Sequence, residues 1–420
     1  LQSCIDYALE QNITIRKNRV TAESTQIDVK TAKAALFPSL SFSTSQQVVN
    51  RPYQETSSRV SGSEIISSNS KTSYNGNYGL NASWTIYNGS KRLKTLKQER
   101  LNNQVAELDV ATSENMIKES IAQIYIQILY AAESVRVNEN TLQVSIAQRD
   151  RGQELLNAGS IAKSDFAQLE AQVSTDRYQL VTAQATLQDY KLQLKQLLEL
   201  DGENEMNVYL PKLSDENVLA PLPAKKDVYV SALAIRPEIE ASKLNIEASE
   251  LGIDIAKSSY FPTISLSAGI GTNHTSGSDF TFGEQVKNGW NNSIGLSVSV
   301  PIFNNRQTKS AVQKAKLQRE TDMLSLLDEQ KALYKTIESL WLDANSAQQR
   351  YAAANEKLRS TQISYDLISE QFNLGMKNTV ELLTEKNNLL QAQQEQLQAK
   401  YMAILNTQLL KFYQGDKLTL

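Results

Sequence analysis

The chain has 420 residues, 43 basic and 46 acidic side chains, one Cys, one His, 16 Gly and 8 Pro, and a formal net charge of -3. That balance excludes the basic footprint of a nucleic-acid binder, the single Cys4 excludes an intrachain disulfide framework, and the single His274 excludes a His-rich metal site. Glycine at ~4% and proline at ~2% lie below the usual figures of about 7% and 5%, so the chain turns rarely and its elements are long; no apolar run is long enough for a membrane helix, which leaves a membrane strand open.

Residues 1–36 read as helix. Phe37-Pro38 then leads into a strand at about 39–48, where Leu40 and Phe42 alternate with Ser39, Ser41 and Ser43. A stretch rich in Ser, Asn and Gly, 49–75, reads as a solvent-exposed loop. A second strand at about 76–87 alternates Tyr78, Leu80, Ala82, Trp84 and Ile86 with Asn77, Gly79, Asn81, Ser83 and Thr85. A proline-free helix follows at 90–157; its ~68 residues would extend roughly 100 Å at 1.5 Å per residue. After a tight turn at Gly159, a helix at 163–200 carries Phe166, Val173, Leu180, Leu187 and Leu194 at sevens, a coiled-coil seam. The segment 201–226, opened by Asp201-Gly202 and holding Pro211, Pro221 and Pro223, reads as a join.

The second half starts with a helix at 227–260 and a strand at about 263–271, where Ile264, Leu266, Ala268 and Ile270 alternate with Ser265, Ser267 and Gly269. A loop at 273–290 precedes a strand at about 291–302, in which Ile294, Leu296, Val298, Val300 and Ile302 face one way. The long helix 305–372 repeats Ile337, Ala344, Tyr351, Leu358, Tyr365 and Phe372 at sevens; a turn at Gly375 leads to the helix 378–412, with Leu383, Leu390, Leu397 and Ile404, and to a C-terminal segment, 413–420. Offset apolar positions (Leu327, Tyr334 and Trp341; Val380 and Tyr401) form a second seam. A helix with two seams can touch a neighbour on each side, as in a ring of helices; an ordinary antiparallel bundle is the other reading of the same period.

The two halves correspond. Lys33-Ala34-Ala35-Leu36-Phe37-Pro38-Ser39-Leu40-Ser41 answers Lys257-Ser258-Ser259-Tyr260-Phe261-Pro262-Thr263-Ile264-Ser265, Ile86-Tyr87-Asn88 answers Ile302-Phe303-Asn304, and Gly159 answers Gly375. The chain is thus an internal duplication, 1–226 and 227–420, each half reading helix, strand, loop, strand, long helix, turn, helix. Each strand is about ten residues long, enough to cross a bilayer when tilted. Phe42, Tyr78, Trp84 and Trp290 are candidate membrane-interface aromatics. Four strands cannot close a barrel alone, and open edges are not tolerated in lipid, so copies must combine. Two copies give eight strands around a filled interior, whereas three give twelve and room for a conduit. The small polar faces favour the open lumen.

The paired Phe37-Pro38-Ser39-Leu40 and Phe261-Pro262-Thr263-Ile264 entries, the paired exits at Ile86-Tyr87-Asn88 and Pro301-Ile302-Phe303-Asn304, and the two glycine turns resemble the TolC-like outer membrane efflux proteins. The resemblance covers essentially the whole chain, and its specificity lies in the doubled order. It implies a mixed α and β membrane protein: a homotrimer with a twelve-stranded β-barrel in the bacterial outer membrane, continuous with a twelve-helix α-barrel in the periplasm. It also implies a passive exit duct for small molecules, served by a periplasmic adaptor (membrane fusion) protein and, through it, an inner-membrane transporter.

The family closes its periplasmic end near the helical tips. Carried onto this chain, the gate positions are Asp165, Phe372, Lys377 and Glu381, and the adaptor-contacting tips are Gly159, Ser160, Ile161, Gly375 and Met376. Phe372 stands where the family pattern has a Tyr, and Lys377 where it has an Arg. Thr384 stands where a further acid is expected, with Glu385 next to it. Phe372 cannot make a hydroxyl bond, and Lys377 lacks the bidentate fork of Arg. An Asp165 to Lys377 link is expected to help hold the tip shut, with Glu381 lining a cation-attracting constriction.

Leu1-Gln2-Ser3-Cys4 looks like a lipoprotein cleavage box, but no basic or apolar stretch precedes it, and Cys4 is expected to be an unmodified thiol of the opening helix. His274 is expected to be exposed. No nucleophile-base set, phosphate-binding Gly loop or metal cluster is evident, so no enzyme activity, cofactor or metal is expected. Two rivals remain: a type I protein-secretion duct of the same fold, and a soluble, elongated coiled-coil scaffold with a small β module.

Overall fold

The computed structural model describes residues 1–53, 57–61, 64–68, 71–201, 207–211, 218–278 and 280–418, with the backbone alone for 57–61 and 64–68. The first repeat contains α1 (Gln2–Gln11), α2 (Ile13–Ala34), β1 (Ser39–Asn50), β2 (Ser57–Ser61), β3 (Glu64–Ser68), β4 (Thr72–Asn88), α3 (Lys91–Asn157) and α4 (Lys163–Leu197). The second contains α5 (Lys225–Ile235), α6 (Pro237–Ser258), β5 (Thr263–Thr275), α7 (Phe282–Asn288), β6 (Asn291–Ser299), α8 (Gln307–Asn373) and α9 (Thr379–Gln414). Residues 202–206 and 212–217 of the join and the last two residues of the C-terminal segment lie outside the described residues.

Both opening helices are broken, where the sequence reading has them continuous. Asn12 leaves the helical region (φ -60°, ψ 127°), and its Oδ1 accepts from the N–H groups of Thr14 (2.9 Å) and Ile15 (3.4 Å), capping α2. In the second repeat the break falls at Arg236 (φ -73°, ψ 123°), because Pro237 disfavours a helical residue before it and suits the first position of α6. The two expected loops are also more structured. Residues 49–75 contain the antiparallel pair β2 and β3, and 273–290 contains α7, capped by Thr281, whose Oγ1 accepts from the Glu284 N–H.

β1, β4, β5 and β6 form one antiparallel sheet in that order. The register pairs Phe42 with Leu80, Leu80 with Ile270, and Ile270 with Asn292; a bulge between Thr85 and Tyr87 interrupts the β4–β5 ladder. β1 and β6 are the edge strands.

The duplication extends to backbone conformation. Gly89 and Ser90 enter α3 with φ of 64° and 62°, and Asn305 and Arg306 enter α8 with φ of 49° and 63°. The hairpin turns match as well, with φ of 71° at Gly159 and 74° at Gly375. Left-handed backbone costs a residue with a Cβ about 1–2 kcal/mol, so a geometry kept at Ser90, Asn305 and Arg306 is imposed by the strand-to-helix corner rather than by residue preference.

Contacts divide the chain into two compact units, each drawing on both repeats. The unit 1–21, 106–241 and 325–420 has a core of Ile121, Ile128 and Leu129 from α3, Leu194 from α4, Tyr351 from α8, and Ile404 and Leu409 from α9. The heptad positions Ile337, Ala344, Tyr351 and Phe372 are buried as the period requires. Arg236 is wedged into a second cluster, its guanidinium 3.6 Å from the Tyr413 ring and its Nη2 3.0 Å from Glu119 Oε1. Burial, with Glu119 beside it, pushes the Tyr413 hydroxyl up to about 12, so it remains a donor toward that carboxylate.

The unit 22–105 and 242–324 holds the sheet. Its corner is tied where Ser258 Oγ donates to the Gly89 carbonyl at 2.9 Å. A Cβ at Gly89 would lie 2.7 Å from the Ser258 carbonyl oxygen, on backbone that cannot swing away. Gly89→Ala is therefore expected to lower stability by about 2 kcal/mol, whereas Arg306→Gly, at the relaxed left-handed position, gains up to about 1 kcal/mol. Denaturant titration of the detergent-solubilised protein reads both shifts.

Candidate functional site

The sheet register sorts the strand residues onto two faces. On one lie Leu40 and Phe42, then Leu80, Ala82 and Trp84, then Leu266, Ala268 and Ile270, then Ile294, Leu296 and Val298. On the other the rows run Ser39, Ser83, Ser267, Gly295 and Ser41, Asn81, Gly269, Ser293. The polar rows bond one another: Ser39 Oγ lies 2.8 Å from Ser83 Oγ, and Asn81 Nδ2 donates to Ser43 Oγ at 3.3 Å. The apolar face stands open, with Phe42 67% and Ile294 82% exposed. In water a patch of this extent is a liability; against acyl chains it is matched.

The four expected interface aromatics occupy different settings. Phe42 and Trp290 are exposed, Trp84 donates its Nε1–H to the Leu36 carbonyl at 2.8 Å, and Tyr78 is half-buried with its ring edge-on to Phe282, centroids 6.4 Å apart. His274 departs from the expectation of simple exposure: it is half-buried, between the rings of Tyr74 (5.6 Å) and Phe282 (5.1 Å).

In the other unit, the α3–α4 and α8–α9 hairpins turn in the same way. The Ser160 N–H bonds the Leu155 carbonyl (2.8 Å) and the Gly159 N–H that of Leu156 (3.0 Å); Met376 to Gln371 and Gly375 to Phe372 repeat the pattern, both at 2.9 Å. These are Schellman caps, which require the left-handed residue that each glycine provides. Both glycines face open space, and Ser160 and Met376 are exposed. Ile161 is partly turned inward, since a Cβ at Gly152 would lie 3.8 Å from its Cδ1.

The gate residues do not pair as expected. Lys377 Nζ, in the turn before α9, bonds Glu381 Oε1 in the first turn of that helix at 2.5 Å, while Asp165 accepts from the Ala162 N–H at 3.4 Å. Asp165 and Glu381 hold the same place in their repeats, three residues into a helix, where a carboxylate satisfies free N–H groups. Asn378 completes the second cap, its Oδ1 accepting from Glu381 N–H at 2.9 Å; Ala162 has no acceptor to do so in the first. An Asp165–Lys377 link is thus absent within the described chain. Phe372 is buried, 3% exposed, and contributes packing.

With this geometry on view, the likeness to known proteins is specific. Residues 4–199 and 228–415 match the family described as outer membrane efflux protein, one match to each repeat. The chain belongs to the outer membrane efflux protein family. Membership places it in the outer membrane. The Outer membrane efflux protein BepC of Brucella suis biovar 1 (strain 1330) is 25% identical over 294 residues, which are 70% of this chain and 61% of that protein. The Outer membrane protein TolC of Escherichia coli (strain K12) is 24% identical over 341 residues, 78% of this chain and 66% of TolC. The chain thus spans a little under two thirds of these relatives' lengths. Among solved structures, a CusC crystal structure superposes with a TM-score of 0.84 at 18% identity, covering 99% of this chain and 92% of that one. That likeness supports the fold.

One constellation in this efflux-family chain escaped the sequence reading. Ser145 of α3, Asp176 of α4 and Lys386 of α9 form a hydrogen-bonded triad, respectively 2%, 1% and 3% exposed. Their local sequences look like solvated helix surface. The available signal is the buried spacing Leu169, Val173, Asp176 and Thr379, Leu382, Lys386, Leu389, which sets both charges in apolar seams.

The cap at Glu381 has a pH dependence of definite sign. The Lys377 ammonium, and then the Asn378 N–H, hold the carboxyl below its ordinary value of 4.5. A depressed acid lends stability that is complete above its unfolded value and is lost as pH falls through the folded one. Limited acid proteolysis within 374–380 is therefore expected to increase steadily below pH 4.5 in the native chain. Glu381→Gln should abolish that pH-dependent rise.

Proposed function

We propose that the chain assembles as a homotrimer into a passive exit duct through the outer membrane. It conducts small molecules delivered by a periplasmic adaptor and an inner-membrane transporter, and it is gated at the helical tips. The observation that carries this reading is the sheet: four strands with one face apolar and open, the other lined by Ser, Asn and Gly, and edge strands β1 and β6 that no further strand covers among the described residues. Lipid cannot satisfy the outer backbone groups of those edges. Joining β6 of one copy to β1 of the next is a head-to-tail contact that closes as a ring, and three copies give the twelve strands that leave an open lumen. The exposed second-seam residues Leu327, Tyr334 and Val380 are available for helix contacts between copies.

At the tips, Gly159, Ser160, Ile161, Gly375 and Met376 form the surface read as adaptor-binding, with Met376 offering the most apolar area. Three copies of the Lys377–Glu381 pair ring the opening, and Asp165 supports the cap of α4. The ring follows from threefold assembly and replaces the Asp165–Lys377 link. The wall is read as a conduit rather than a catalyst, since its function needs only a lumen.

The test is mass and conductance. Light scattering in detergent should give about three times 46.8 kDa of protein, and purified protein should insert as conducting units in planar bilayers. Lys377→Ala bares Glu381 and should raise cation selectivity at least twofold; Glu381→Ala should lower it. A stable monomer in micelles removes the duct, and unchanged conductance and selectivity in both variants removes the gate.

A further inference from the structure

The α3–α4 and α8–α9 hairpins are held together near the tips by a polar tie rather than by apolar packing alone. Lys386 Nζ donates to Asp176 Oδ2 and to Ser145 Oγ, and Ser145 Oγ donates to Asp176 Oδ2, so one ammonium on α9 grips both helices of the other hairpin. Gln172 Nε2 reaches Asp176 Oδ1 at 2.9 Å and Asn387 Oδ1 at 3.4 Å, extending the tie by a turn. Burial pushes the Lys386 ammonium below its ordinary value against the opposing pull of Asp176. Lys386 lies seven residues past Thr379, the first residue of α9, about 10 Å along that helix.

A dry ion pair in a helical seam is a poor choice for stability, because apolar residues of similar volume hold such seams equally well or better. It differs from an apolar contact in its behaviour when the hairpins part. Separating leucines exposes hydrocarbon to water and is opposed throughout, whereas separated Lys and Asp gain hydration shells that replace their mutual bonds. The contact therefore has two acceptable states, dry and closed or wet and apart, with a costly half-hydrated state between them.

We propose that Lys386, Asp176 and Ser145 form a latch between the two hairpins of each subunit, closed when dry and released by hydration when the tips separate. The latch rests on the gated-duct reading above. It makes two opposite predictions for variants at the same site. Lys386→Met strands Asp176 without its cation in the closed state, so mean single-channel conductance in planar bilayers should rise at least threefold. The double variant Lys386→Met with Asp176→Leu removes both ions and leaves an apolar seam that resists wetting; it should conduct no more than the native trimer and unfold at an equal or higher temperature. Should Lys386→Met fail to assemble, Asp176→Asn strands the lysine instead and should open the channel likewise. A single variant that conducts like the native trimer overturns the latch, as does a double variant as open as the single. A native trimer that never conducts overturns the duct and the latch together, whereas native conduction with unmoved variants overturns the latch alone.

Discussion

A peptide group in hydrocarbon has no water to turn to, and each one left unpaired costs several kcal/mol. Among the described residues the sheet of this chain leaves whole strand sides uncovered along β1 and β6. Its apolar face suits lipid and its polar face suits water, yet the edges suit neither until another strand covers them. The demand for edge closure is what gives the two faces an inside and an outside. An open sheet has two surfaces; only a closed one has a lumen.

The repeated backbone shows how one solution was used twice. The corner from strand to long helix takes two consecutive left-handed residues in both halves, Gly89-Ser90 and Asn305-Arg306, although only one of the four is glycine. The hairpin turns preserve glycine itself, at 159 and 375, where both Schellman bonds are present. Sequence drifts most where the surroundings can enforce a conformation, and least where the turn stands in open space with nothing to enforce it. Neither tip glycine has a neighbour near its missing Cβ, whereas Gly89 is hemmed in by Ser258.

Much of this fold was legible because its signals are periodic. Absent prolines and sevenfold apolar residues marked α3, α4, α8 and α9 to within a few residues, and alternation marked the four strands of the sheet. The breaks at Asn12 and before Pro237 were missed although both residues are recognisable punctuation, since the apolar pattern runs across them. The Thr281 to Glu284 capping box was likewise present in the sequence, inside a stretch whose composition suggested only loop. The triad is a different kind of omission. Lys386 lies 210 residues from Asp176 and 241 from Ser145, so no local window contains the reason for its burial. At the tips the sequence reading set Lys377 against Asp165, whereas the folded chain pairs it with Glu381 in the first turn of α9; Lys377 lies in the turn before that helix, where no periodic signal announces its partner.

The polar face of the sheet bears on what such a wall can select. Ser39 is engaged with Ser83, Asn81 with Ser43, and Asn77 with Ser45, so much of its hydrogen-bonding capacity is already committed across strands. A solute passing these groups must compete with bonds already made and gains little by doing so. The Ser, Asn and Gly rows carry no formal charge, which denies ions a fixed site along them. A wall of this chemistry stays wet and open without holding what passes. Discrimination in the proposed duct therefore falls to places where charge is concentrated or water is excluded, and in this chain both occur near the tips: at the Lys377–Glu381 pair on the surface and at Lys386 and Asp176 beneath it.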